Sequence, residues 1–331
     1  MPPPPRPPRP PGVQSILDEI AQRPGGFASL DALNHHLARR MQEYNATPQP
    51  ELGGLSPIQV QQLLTGDWAT TGALRVADDA SLEELHHVPF LADARALMRY
   101  VAQHAPVKLT SLGNLSRAAV AALVPQLRMV ADEDDEADEE GNAPLPPFPI
   151  RNEGDALWLG ILRHVLLFAK LLARRKGLVL TKRGQQLLDD GQAGALYALL
   201  FRTFFRQFDL RFLCNDDRHP RLQQTLAWSF YQLGRAGNEW ASAESLAARA
   251  WLDSARDPMD ARDREFGDMR HWAFQRRVLQ PLVMFGLLER RREPGTKRWE
   301  YRWEFRPAAR FERVLRFEFQ GGGRGDLFLM R

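Results

Sequence analysis

The densest group of potential ligands in this 331-residue chain is Cys214, Asp216, Asp217 and His219. Thiolate, carboxylate and imidazole are the groups that hold zinc or activate water, but such a site needs further ligands converging from elsewhere in the fold. Read locally, the same residues make a polar loop between two helices, with Cys214 a small buried hydrophobe. His35-His36 and His86-His87 are adjacent pairs. Neighbouring helical positions face different directions, so neither pair is suited to sharing one ion. No phosphate loop, dinucleotide fingerprint, nucleophile elbow or zinc-protease motif is present. The glycines at 321–323 and 325 lack the strand–helix context a phosphate loop requires. No catalytic residue, cofactor or metal is therefore assigned, and the chain reads as non-enzymatic.

Cationic residues offer the remaining chemistry. Arg290, Arg291, Arg292, Lys297 and Arg298 crowd one short segment, and Arg276 and Arg277 lie on the helix before it. These seven are the candidate nucleic-acid-binding residues, since guanidinium and ammonium groups neutralise phosphates and release counterions. Arg174, Arg175 and Lys176, with Lys182 and Arg183, form a comparable patch. The competing reading is a solvated strand pair whose arginines cover aromatic faces and pair with Glu289, Glu300 and Glu304. The formal net charge is +3, and eight of the nine residues from Asp132 to Glu140 are acidic. Without that run the balance is +11, and from Arg262 onward 17 Lys/Arg face 10 Asp/Glu. This asymmetry favours an anionic partner, for which the mobile acidic run would compete with the basic C-terminal surface.

The elements that must position these residues are mostly helical. Two helices are expected between Val13 and Tyr44, split by Pro24-Gly25-Gly26, and Ser56-Pro57 opens another that reaches Leu64. Further apolar stripes at helical spacing cover 90–104, 116–129, 155–175, 192–207, 221–233, 242–251 and 271–285, the last with a kink at Pro281. A short strand is expected over Leu178–Leu180. Leu287–Glu293 and Lys297–Phe305 flank Pro294-Gly295, a pair suited to the centre of a type II turn. In the second arm Trp299, Tyr301, Trp303 and Phe305 alternate with charged residues, as in a strand with one buried face. The phrase Leu109-Thr110-Ser111-Leu112-Gly113 returns as Leu180-Thr181-Lys182-Arg183-Gly184, 71 residues on, which suggests an internal repeat with Thr as helix N-cap and Gly allowing close approach.

The expected class is mainly α with short β-hairpins, built from tandem winged-helix-like units. The expected organisation is a disordered Pro/Arg tail over 1–12, a helical domain over 13–130, an acidic and Pro-rich linker over 131–151, a central helical domain with a winged-helix-like unit over 152–260, and a C-terminal winged-helix-like unit with a basic hairpin over 261–331. The run from Leu157 to Leu172 contains Arg163, His164 and Lys170, so it reads as a core helix and not a membrane span. A single cysteine excludes an intramolecular disulfide, and the proline-rich start does not read as a signal peptide, so a cytoplasmic setting is expected.

The string Gly54-Leu55-Ser56-Pro57, the segment Lys108-Leu109-Thr110 with Gly113-Asn114-Leu115, and the second Leu-Thr phrase resemble a group of poorly characterised bacterial proteins, some of which carry a zinc-binding SEC-C module. The resemblance covers Leu52 to Leu288 and implies winged-helix character. The chain lacks the cysteine cluster of that module, so no zinc is carried over. Two functions are left: a regulatory winged-helix protein that binds duplex DNA or another nucleic acid, and a protein–protein interaction scaffold that touches no DNA.

Overall fold

The computed structural model describes residues 11–129, 150–214, 216–257, 270–296 and 302–320. Residues 1–10 of the expected Pro/Arg tail, the acidic run and the Pro-rich stretch up to Pro149 lie outside the described residues, as do Lys297, Arg298, Trp299 and Tyr301; the last two tail positions, Pro11 and Gly12, instead begin a helix. The protein is mainly α-helical with small antiparallel strand pairs. It divides into two compact units, residues 11–65 with 319–320, and residues 66–318.

The first unit holds α1 (Pro11–Ala21), α2 (Leu30–Ala46) and α3 (Pro57–Leu64). Ser29 caps α2 through the Ala32 amide, and Ser56 and Gln59 close a reciprocal capping box on α3. Both serines satisfy amides that the first helical turn leaves open. Arg40 and His36 of α2 reach Glu19 of α1 at 2.9 and 3.3 Å. The Gln62 side chain exchanges two hydrogen bonds with the Gln320 backbone.

The second unit runs through β1 (Leu74–Val76), α4 (Leu82–Leu85), α5 (Pro89–His104), α6 (Arg117–Leu123), α7 (Leu157–Phe168), β2 (Leu172–Arg174), β3 (Leu178–Leu180), α8 (Lys182–Leu187) and α9 (Ala193–Arg206). It continues through α10 (Leu226–Gly234), β4 (Ala241–Ser242), α11 (Ala243–Ala250), α12 (Arg270–Phe274), a π-helical turn over Gln275–Leu279, α13 (Gln280–Met284), β5 (Leu288–Arg292), β6 (Trp303–Pro307), α14 (Phe311–Val314) and β7 (Leu315–Phe317). The domain borders expected near 130 and 260 fall inside this unit. The reason is α9, which packs against α5 and α7 and carries aromatic rings into a core shared with α10 and the end of α13.

Two stretches share one order of elements. In the first, α5 is followed by Val107, α6, α7, β2 and β3; Val107 bridges Leu178 of β3, and β3 pairs with β2. In the second, α10 is followed by β4, α11, α12 to α13, β5 and β6, with β6 between β4 and β5. Their corners match as well. After α7 the Leu171 amide donates to Leu166 O at 2.9 Å with Lys170 at φ +58; after α13 the Leu287 amide donates to Leu282 O at 2.8 Å with Gly286 at φ +69. Both are Schellman closures with a left-handed residue, which glycine adopts freely and lysine does not.

Two expectations are corrected. The helix expected over 155–175 ends at Phe168, because Lys170 turns left-handed and residues 172–174 enter a strand. The two Leu-Thr phrases are not structural copies. Thr181 caps α8 through the Gly184 amide at 2.9 Å, and a Cβ on Gly184 would lie 2.4 Å from Leu171 O. Thr110 instead accepts from the Asn114 amide at 3.1 Å in a turn between Leu109 and Leu115, with Gly113 at φ +78. Where a kink is expected at Pro281, a π-helical turn over Gln275–Leu279 precedes the proline that lacks the amide donor.

A buried ion pair fixes α7. Glu153 and Arg163 are nearly inaccessible and meet at 2.7 Å, and the free oxygen of Glu153 accepts the Leu115 amide. Removing one partner of such a pair strands a buried charge. Glu153→Ala should lower unfolding stability by about 3 kcal/mol in denaturant melts, and Glu153→Ala with Arg163→Met should recover much of that loss.

At the entrance to β1, Asp67 accepts the amides of Thr71, Thr70 and Ala69 and the Thr70 hydroxyl at 2.7–2.9 Å. The Thr71 amide, followed by the Thr70 hydroxyl and amide, holds its carboxyl below the usual carboxylate range. A folded pKa below the unfolded value stabilises above the unfolded pKa and loses that contribution as pH falls toward the folded one. The gap in denaturation midpoint between wild type and Asp67→Ala should be full at neutral pH and narrow once pH drops below about 4.

Candidate nucleic-acid interface

The candidate cations on β5 belong to two faces of one ladder. β5 and β6 pair with Arg290 opposite Phe305, Arg291 opposite Glu304 and Arg292 opposite Trp303. On one face the guanidinium carbons of Arg290 and Arg292 lie 4.3 and 5.0 Å from the Trp303 ring centre. On the other, Arg291 pairs with Glu304 at 2.7 Å and Arg306 with Glu289 at 2.6 Å, and both guanidinium groups sit 4.5 Å over Trp240. A delocalised cation lies against an aromatic face at modest desolvation cost, and opposite charges directly across a ladder attract. Trp303 and Phe305 share the face expected of them, with Phe305 fully buried. Gly295, at φ +74, takes the third position of the turn closed by Thr296 N to Glu293 O.

Arg276 and Arg277 separate. Arg276 is half-buried and bonds Gln280 at 3.0 Å. Arg277 is 1% exposed. It donates to the Cys214 sulfur at 3.0 Å, to Arg218 O at 2.6 Å and to Asp216 O. Its guanidinium is thus spent on the loop that carries the Cys214–His219 group and presents no face for a phosphate. His219 lies edge-on to Trp251, its amide bonded to Asp257 at 2.6 Å, and burial holds its imidazole below the ordinary value against the pull of Asp257. Among the described residues no three His, Cys, Asp or Glu side chains converge as a metal site.

The β2–β3 hairpin is built differently. Arg174, Arg175 and Lys176 stand exposed at its tip, and Lys182 and Arg183 follow on the exposed first turn of α8. Among the described residues none of these five enters an ion pair. The Arg174 guanidinium lies near Gly113, where an added Cβ would sit 3.4 Å from it. Gly177 lets the strands close, since a Cβ there would lie 2.6 Å from Val107 O. The sequence identified this patch but did not place it among the seven candidates, because only pairing in three dimensions distinguishes it from the β5 arginines.

The helices before the two hairpins are largely buried. α7 hides Trp158, Leu159, Ile161, Leu162, Arg163, Val165 and Leu166, and the segment from Arg270 to Met284 buries Phe274, Gln275, Arg277, Val278, Leu279 and Leu282. A helix apolar around most of its circumference has few side chains left for base edges.

Residues 86–193, which take in α5 to α8, are similar to the Y4jL N-terminal domain family. No curated protein and no solved structure matches the chain. Among the described residues no helix is long and apolar enough to cross a membrane.

The two kinds of arginine should respond differently to truncation. Arg277→Ala should cost about 3 kcal/mol in denaturant melts, because it removes a buried side chain that ties together two part-buried carbonyls and the Cys214 sulfur, whereas Arg291→Ala should cost about 1 kcal/mol or less, as exposed pairs do.

Proposed function

We propose that the protein is a non-enzymatic winged-helix protein that holds nucleic acid by its phosphate backbone, with the β2–β3 hairpin as the principal binding element. The winged-helix reading draws on the shared order of helix, strand, two helices and hairpin, with the last strand central. The nucleic-acid reading rests on the contiguous exposed cations Arg174, Arg175 and Lys176, none of which is neutralised by an acid among the described residues. Buried third helices argue for backbone binding without base reading, which gives affinity with little sequence preference. Arg290, Arg291 and Arg292 are secondary in this reading, because stacking and pairing already engage them.

Exposed apolar residues favour the alternative, a protein–protein scaffold. Leu112 is 87% exposed, and Phe168 and Leu157 protrude from opposite ends of α7. Winged-helix folds serve both purposes, so the fold alone does not choose.

Duplex DNA titrated with the full chain over a series of salt concentrations should give a steep fall of log affinity with log salt. Arg174→Ala, Arg175→Ala and Lys176→Ala together should reduce that slope by about 0.9 for each phosphate that is no longer neutralised, while Arg291→Ala leaves it nearly unchanged. A wild type with no salt-dependent binding would sink this reading in favour of the scaffold.

A further inference from the structure

A second cationic site lies in a groove of about 570 Å³ along α5. Its floor is α5, through Leu91, Arg95, Arg99, Tyr100 and His104, and its walls come from α4 and the segment after α6. Arg95, Arg99 and Arg128 are among its lining residues, and among the described residues no aspartate or glutamate lines it. Arg95 and Arg99 stand one helical turn apart, so like charges repel at short range. Both lean on a single carboxylate, the exposed Asp190, which pairs with Arg95 and lies 3.8 Å from Arg99. Burial, then the Arg99 charge, lowers the affinity of Arg95 for its proton. One exposed acid thus serves two arginines, and the buried one has a carbonyl, Asp189 O at 3.5 Å, as its other partner.

The third arginine is held in place by the fold. Buried Asp93 accepts the amides of Arg128 and Met129 at 2.8 and 3.0 Å, and Arg128 spends one nitrogen on His86 O at 2.8 Å. Arg128 also lines the groove. At the far end Tyr100 and His104 stack with ring centres 4.3 Å apart, a flat platform beside the cationic floor.

We propose that this groove binds a phosphorylated ligand of mononucleotide size. Its phosphate displaces Asp190 and is held by Arg95, Arg99 and Arg128, while its ring lies on the Tyr100–His104 platform. Forked guanidinium groups match phosphate oxygens, aromatic platforms accept any base, and the volume falls in the range of small-molecule sites, roughly 300–1,000 Å³. The site does not depend on the nucleic-acid reading of the β2–β3 hairpin.

The test is isothermal titration of the full chain with AMP, adenosine and inorganic phosphate. AMP should bind, phosphate alone should bind at least about tenfold more weakly, and adenosine should give no measurable heat. Arg99→Ala and Arg128→Ala, both at exposed positions that do not threaten the fold, should each weaken AMP by about tenfold. Asp190→Asn should tighten it several-fold by releasing Arg95. The hairpin variant of Arg174, Arg175 and Lys176 should bind AMP like wild type. Absence of AMP binding at millimolar concentration overturns the site, as do arginine variants that bind like wild type. Phosphate binding as tightly as AMP, or adenosine binding as tightly, overturns the assignment of a mononucleotide.

Discussion

Phe285, the last residue before the Gly286 corner, is the point on which the larger unit converges. Its ring stacks on Phe90 of α5 at 4.4 Å and meets Tyr197, Phe201, Phe204 and Phe205 of α9 at 5.2–5.8 Å. Its carbonyl accepts the Tyr197 hydroxyl at 2.8 Å, and burial raises that phenol far above its usual range, keeping it a neutral donor. Each aromatic pair adds about 0.5–1.5 kcal/mol beyond the area it buries, and here the pairs share members. The first helix–hairpin stretch enters this cluster through Phe90, the second through Phe230 and Phe285, and α9 lies between them. Neither stretch can move its helices without opening the common core.

That constraint also explains why the cationic surfaces differ. The helices that precede the hairpins are drawn into the core, so the hairpins and helix ends are left on the surface. On the second hairpin Trp240 and Trp303 draw the arginines down, and Glu304 and Glu289 neutralise Arg291 and Arg306. On the first hairpin the strands are three residues long, the inward positions are Leu172, Leu178 and Leu180, and there is no tryptophan or acid beside Arg175 and Lys176. The same residue type is a packing element in one place and a solvated charge in the other.

The groove on α5 follows from the same packing. The buried face of α5 carries Phe90, Ala94, Leu97, Met98 and Val101, which commits Arg95 and Arg99 to the opposite border of the helix. Asp93, fully buried on this helix, captures the chain after α6 and so sets the far wall. A core requirement thereby places three arginines around one space.

Much of the secondary structure was determined by the sequence alone. The caps Ser29, Ser56 and Thr181 and the helical stripes of α2, α3, α5, α9 and α11 depend on residues a few positions apart, and local chemistry decides them. Phe305 and Trp303 on one strand face were legible for the same reason. The end of α7 was not, because Lys170 has no intrinsic preference for a left-handed turn and takes one only where a packed corner imposes it. The pairing of β1 with β7, at opposite ends of the larger unit's sequence, leaves no local signal either. Tertiary structure likewise decided which arginines are available. Arg277 and Arg276 are neighbours in the chain, yet one is sealed beneath the Cys214–His219 loop and the other is half-exposed, since burial is fixed by what packs against each face of a helix and not by residue type.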